Sequence, residues 1–185
     1  MTSSGVIVPD IVNSYSSTDP YSNFVQRYFT VRYAVNVRHQ NDDYCVLIHS
    51  NRVCVVTLAP SHELLKNETS IDSVDFQVSE NRNTLNTKIS GKRKHHAQRV
   101  QPNTSLAIVN CQSKTYKLVP GIHGKLLEVN KDLLSNPSLL LEHPDEKGFL
   151  AIILPDPSSV EESKKKLMTP DAYHEFIEKT LPETT

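Results

Sequence analysis

The sequence predicts a mainly β, antiparallel domain with a helix near each end. Three observations carry that prediction. Short runs rich in Val, Ile, Leu, Thr and Tyr recur between residues 44 and 154, bounded by Pro, Gly, Asn and Ser. Proline outnumbers glycine 11 to 5, as expected of a chain built from many short, punctuated elements. Helical spacing of apolar residues shows clearly only near the two ends. At 185 residues and 37% hydrophobic content, the chain has enough apolar side chains for one core and a surplus of polar loop and tail. The expected organisation is a disordered tail over 1–17, a helix and β domain over 18–155, and a charged linker with a terminal helix over 156–185.

The first helix is signalled by Thr18-Asp19-Pro20, a cap followed by proline at the first turn. Tyr21, Phe24, Val25, Tyr28 and Phe29 then fall on one face. Residues 30–37 alternate weakly and read as extended. Tyr44–His49 and Val53–Leu58 are β-rich runs around Ser50-Asn51, which predicts a hairpin with both faces covered. Ser61–Leu65 allows one helical turn. Ile71–Val78 reads as a strand, and Asn81–Gln101 as an exposed loop or an edge hairpin. Strands follow at 105–111, 115–119 and 122–129, then a short helix within 130–141 capped by Asn130. Phe149–Leu154 reads as a last strand buried on both faces. The final helix has Thr169 as cap, Pro170 first, Lys179 in its last turn and Pro182 beyond. Its apolar face is Tyr173, Phe176, Ile177 and Leu181.

Several function classes are disfavoured by what the sequence lacks. The N-terminus has neither the basic n-region nor the apolar run of a secretory signal, and no stretch approaches the ~18 apolar residues of a membrane span. A cytoplasmic or nuclear protein with no membrane partner is therefore expected. Cys45, Cys54 and Cys111 are too few for a disulfide framework and read as free buried thiols. His95 and His96 are adjacent and would diverge, and no paired-cysteine or paired-histidine metal motif occurs. No phosphate-binding glycine loop and no nucleophile elbow is present. The expectation is a non-enzymatic binding protein with no catalytic residue, metal or cofactor.

Charge is the one outlier. Residues 81–127 hold nine cations (Arg82, Lys88, Lys92, Arg93, Lys94, Arg99, Lys114, Lys117 and Lys125) and no acid, giving +9. The other eleven cations share the remaining sequence with all 21 acids, giving −10. Lys88, Lys92, Arg93, Lys94 and Arg99 form the densest part and are the candidate partner-binding residues. Two partners fit such a patch: nucleic acid, through counterion release, or an acidic protein face, through electrostatic steering. No aromatic residue lies between Asn81 and Ser113, which disfavours base stacking on a single strand.

Two resemblances add to this reading. Pro120–Asn130 (PGIHGKLLEVN), with Leu133, Pro137, Leu140, Pro144 and Gly148-Phe149-Leu150, resembles the H-protein of the glycine cleavage system over residues 104–154. That likeness implies a lipoyl-like, H-protein-like flattened β-barrel of two sheets, a barrel-sandwich hybrid. The carrier lysine of that family lies eleven residues before the glycine matching Gly124, which is Ser113 here. Lys114, one residue on, is then the residue a lipoyl carrier would use, although the acidic residue that usually precedes the carrier lysine is absent.

Over a longer span the chain resembles the Abitram (Simiate) family. The matching pieces are Arg27–Thr30, the string from His49 to Ala59 (HSNRVCVVTLA), Ser90–Lys94 with Ala97-Gln98, and Gly124–Asn130. This resemblance implies binding to monomeric and filamentous actin and regulation of actin polymerisation in filopodia and dendrites. It also implies a nuclear speckle pool linked to transcription, and a cytoplasmic pool in growth cones and lamellipodia. The alternatives are a scaffold subunit of a nuclear complex, a basic adaptor associated with nucleic acid and, more remotely, a lipoyl carrier.

Overall fold

The computed structural model describes residues 24–86, 96–112, 114–157 and 160–180. The tail expected over 1–17, most of the basic run and residues after 180 lie outside them.

Among the described residues helix α1 covers Phe24–Tyr28, and the chain turns into strand β1 (Phe29–Ala34) where the sequence periodicity continued the helix through Phe29. Phe29, Thr30, Val31 and Tyr33 are strong β-formers, and pairing with β2 (Tyr44–His49) fixes all six residues from Phe29 opposite His49 to Ala34 opposite Tyr44. β3 (Cys54–Leu58) completes the expected hairpin. Its turn runs through Arg52, whose N–H bonds to the His49 carbonyl at 2.9 Å and whose φ is +74°. That is the left-handed position at which a bulged hairpin loop prefers glycine. A side chain there costs on the order of 1–2 kcal/mol.

Helix α2 (Glu63–Asn67) follows, capped by the His62 ring, which accepts the Leu64 N–H. The run at 71–78, expected to be one strand, is two: β4 (Ser73–Asp75) and β5 (Gln77–Ser79). Fully buried Phe76 sits at the break, and the two pieces join different sheets. β6 (Arg82–Asn83), a 3-10 turn at Thr84–Asn86 and β7 (Arg99–Val100) flank residues 87–95, which lie outside the described residues. Next come β8 (Ala107–Asn110), β9 (Thr115–Leu118) and β10 (Gly124–Val129). The single helix expected after Asn130 is two one-turn helices, α3 (Asp132–Ser135) and α4 (Leu139–Glu142), because Pro137 intervenes. β11 (Ala151–Leu154) alternates buried and half-buried residues, so it is covered fully on one face only. The charged segment after it forms α5 (Val160–Lys166), and α6 (Pro170–Thr180) is the expected terminal helix, with Thr169 Oγ1 accepting the Ala172 N–H.

The strands form a six-stranded sheet in the order β1-β2-β3-β11-β10-β7, a three-stranded sheet β4-β8-β9 and a small pair β5-β6. One apolar cluster joins the two larger sheets: Val46, Val56, Leu126 and Ile153 from the first, Val109 and Leu118 from the second. The fold is that of the expected barrel-sandwich hybrid, with facing sheets that do not close into a continuous barrel among the described residues. α6 docks on the outer side. Tyr173 stacks on Tyr33 with ring centroids 3.8 Å apart, and Tyr33 exchanges both backbone hydrogen bonds with Met168. Arg32 donates from Nη1 to the neighbouring Val31 carbonyl.

Candidate functional site

The β8–β9 hairpin carries the position at which an H-protein holds its lipoyl lysine. Asn110 and Thr115 form its last strand pair, and the Cys111 N–H bonds to the Lys114 carbonyl at 3.0 Å. Ser113 lies outside the described residues. Lys114 Nζ is 2.7 Å from Glu63 Oε2 and 4.7 Å from the centre of the Tyr116 ring. Tyr116 in turn donates to Glu68 Oε1, and desolvation together with that carboxylate pushes its phenol up to about 12. Lys114 is thus engaged by a carboxylate and an aromatic face. A lipoylated lysine is an uncharged amide and could not keep this ion pair.

Of the candidate patch, Lys88, Lys92, Arg93 and Lys94 lie outside the described residues. Arg99 is exposed on β7, and its Nη1 is 2.9 Å from Asp156. The hydrogen bond from Arg99 holds the Asp156 carboxyl below its usual range. His123 Nε2 lies 3.7 Å from the same carboxylate. The acid-free stretch is therefore not acid-free in space. Pairing of β10 with both β7 and β11 brings Asp156, just past β11, to Arg99, while α2 delivers Glu63 to Lys114.

A buried polar network escaped sequence reasoning. Asp42, Asp43, Ser61 and His62 are all almost fully buried. Asp42 accepts two hydrogen bonds from Arg38, at 2.8 and 2.9 Å, and one from the Tyr44 phenol at 2.7 Å. His62 Nδ1 accepts the Leu64 N–H, which leaves the ring proton on Nε2, 3.5 Å from Asp42. Burial alone would raise the Asp42 pKa, but hydrogen bonds from His62, Arg38 and Tyr44 outweigh it and hold the carboxyl well below its usual value. Asp43 accepts the Ser61 hydroxyl and the Asn36 N–H, and the Ser61 hydroxyl also bonds to the Tyr173 phenol at 2.6 Å. Serine, histidine and aspartate meet here without forming a nucleophilic triad. Ser61 pairs with Asp43 and Tyr173, His62 with Asp42, and none of the four lines the pocket or the groove described below. The arrangement ties the β1–β2 connection, α2 and α6 together.

The thiols are equally unsuited to chemistry. Cys45, Cys54 and Cys111 are free and buried, and desolvation pushes the first two up to about 12 and the third to about 11. No group of three or more metal-ligating side chains gathers among the described residues. No described helix is long and apolar enough to cross a membrane.

Two concave features among the described residues lie on the surface. A pocket of about 390 Å³ lies between the β2–β3 turn, the α1–β1 junction and α5, and Arg27, His49, Arg52 and Lys164 line it. A larger groove of about 600 Å³ adjoins it at Phe29. Leu47, Val55 and Ile152, from the outer face of β2, β3 and β11, line this groove together with Phe149, Asp145 and Glu146.

Residues 58–180 match the family model described as the glycine cleavage H-protein. The crystal structure of a glycine cleavage system H protein from Mycobacterium marinum shares the fold, with a TM-score of 0.53 over 80% of this chain and 96% of that one, at 14% identity. Among curated relatives, Protein Abitram of Gallus gallus is 42% identical over 156 residues, covering 82% of this chain and 88% of the relative. Protein Abitram of Homo sapiens is 38% identical over 168 residues, covering 88% and 91%. Protein Abitram of Dictyostelium discoideum is 37% identical over 136 residues, covering 71% and 74%. These names denote proteins and no enzyme activity. The chain belongs to the Abitram family, within the wider glycine cleavage H-protein family whose fold it carries.

Proposed function

We propose that this protein is a non-enzymatic actin-binding regulator of filament assembly in filopodia and dendrites, with cytoplasmic and nuclear pools and a role in transcription. The observation that carries a binding role is the segregation of nine cations and no acid into residues 81–127. Actin is acidic, so such a stretch favours encounter and orientation. The actin assignment itself rests on the Abitram resemblance of Arg27–Thr30, His49–Ala59, Ser90–Lys94 with Ala97-Gln98, and Gly124–Asn130.

Charge reversal tests it. Replacing Lys92, Arg93 and Lys94 together by Glu is expected to weaken co-sedimentation with filamentous actin on the order of tenfold at low salt, and less as salt screens the contact. Unchanged binding by the folded triple variant would remove the basic run from the interface. Absence of binding by the wild type would remove actin, leaving the nuclear scaffold or the nucleic-acid adaptor. The adaptor would show salt-dependent affinity for generic RNA or DNA.

A lipoyl carrier is the second reading, favoured only by the fold and by Lys114 standing beside the carrier position. Intact-mass measurement of protein purified from its native source is expected to show no mass increase that Lys114→Arg abolishes. Such an increase would establish the carrier reading.

A further inference from the structure

We infer that the cationic pocket of Arg27, His49, Arg52 and Lys164, together with the apolar groove that meets it at Phe29, docks a protein segment bearing acidic residues next to apolar ones. The inference rests on the reading of the chain as a binder of an acidic protein and deepens it, adding a preformed surface to the basic run.

Three observations support it. First, the pocket has three cations, Arg27, Arg52 and Lys164, against one carboxylate, Glu161, which already lies 3.0 Å from Lys164 Nζ. Arg27 and Arg52 are exposed and make no ion pair among the described residues. Second, Arg52 occupies a left-handed backbone position, φ +74°, where the turn favours glycine. Its side chain makes no hydrogen bond among the described residues that would repay that conformation. Strain retained at a solvent-facing arginine points to a role outside the fold's own stability. Third, Tyr28 is 53% exposed at the pocket and Arg27 adjoins it in sequence, and tyrosine and arginine are the residue types that dominate protein contact energies.

The groove decides the kind of partner. Its floor is Leu47, Val55 and Ile152, and its far rim is Asp145 and Glu146. A nucleic acid would run its phosphates from the cations onto an apolar floor and then onto two acids. A peptide meets the same surface with a carboxylate in the pocket, apolar side chains on the floor and a basic residue at the rim.

The test uses the full chain, isotope-labelled and titrated with a capped Glu-Glu-Leu-Phe-Lys-Lys peptide while amide shifts are followed. Perturbations are expected at Arg27, His49, Arg52, Leu47 and Ile152. Arg52→Gly should weaken the peptide about fivefold to tenfold, and its thermal midpoint should equal or exceed that of the wild type, because glycine suits the turn. Arg27→Glu should weaken the peptide at least as much.

Four results would overturn the inference: no perturbation at these residues, equal affinity of Arg52→Gly and wild type, binding of a generic oligonucleotide here in place of the peptide, or shifts of the groove residues on dilution alone, which would mark a second copy as the occupant. Co-sedimentation separates this proposal from the actin reading. If the peptide does not bind while the wild type co-sediments, the pocket fails and the actin reading stands. If the peptide binds as expected while the wild type does not co-sediment, the pocket stands and actin fails.

Discussion

Replacing Asp42 by Ala is expected to destabilise the protein by about 3–5 kcal/mol, the usual cost of removing one partner from a buried ion pair. Arg38 would lose both hydrogen bonds to Asp42, keeping the one to the Lys117 carbonyl, and the Tyr44 phenol and the His62 ring would face an empty, almost fully buried site. Urea unfolding at neutral pH is the measurement, and a loss under about 1 kcal/mol would contradict the network described above. The acid limb carries a second signature. The folded Asp42 carboxyl titrates below its unfolded value of about 3.9, so its contribution is complete above roughly pH 4 and disappears as pH falls through the lower, folded value. The Asp42→Ala variant should therefore lose less stability than the wild type on acidification below pH 4.

Gly148→Ala is expected to be comparably severe, by a different route. A Cβ at this position would stand 2.0 Å from the Leu139 carbonyl oxygen and 2.7 Å from that of His143. Both are backbone atoms, so no rotamer change relieves the clash. The Gly148 N–H also bonds to the His143 carbonyl at 2.8 Å, which pins the loop beneath α4. Moving it would disturb Asn130, whose amide donates to the Lys147 and Phe149 carbonyls, and the buried Leu140 and Leu150. The expected loss is about 3 kcal/mol, read as a lower urea midpoint with an unchanged slope. A midpoint within error of the wild type would show that this loop is not held as described.

Much of the fold was legible because its signals are local. The β2–β3 hairpin, the hairpin of β8 and β9, and the cap of α6 at Thr169 all follow from β-branched runs, turn residues and helix-start chemistry. Errors arose where partners distant in sequence decide the structure. Phe29 satisfied a helical spacing, but pairing with His49 drew it into β1. Phe76 looked like the middle of a strand, yet its burial breaks the run into two sheets. The site was less legible than the fold. Asp42 and Asp43 stand just ahead of β2, and nothing in the local sequence marks them as buried. Arg38, Tyr44 and His62 for the first, and Asn36 and Ser61 for the second, explain their burial, and no spacing rule joins all of these residues. The acid-free run likewise said nothing of Glu63 and Asp156, which strand order returns to Lys114 and Arg99.

The attachment of Met168 to Tyr33 has a consequence for how this chain coexists with copies of itself. A strand at the margin of a sheet offers unpaired amides and carbonyls on which another chain can add a strand. At β1 that row is interrupted. Tyr33 is already paired with Met168, and Arg32 sets a guanidinium on the Val31 carbonyl. At the opposite margin β7 has only two residues, Arg99 and Val100, too short to template an added strand. The segment after β11, which contributes little to the main core, thereby guards the six-stranded sheet against runaway strand addition.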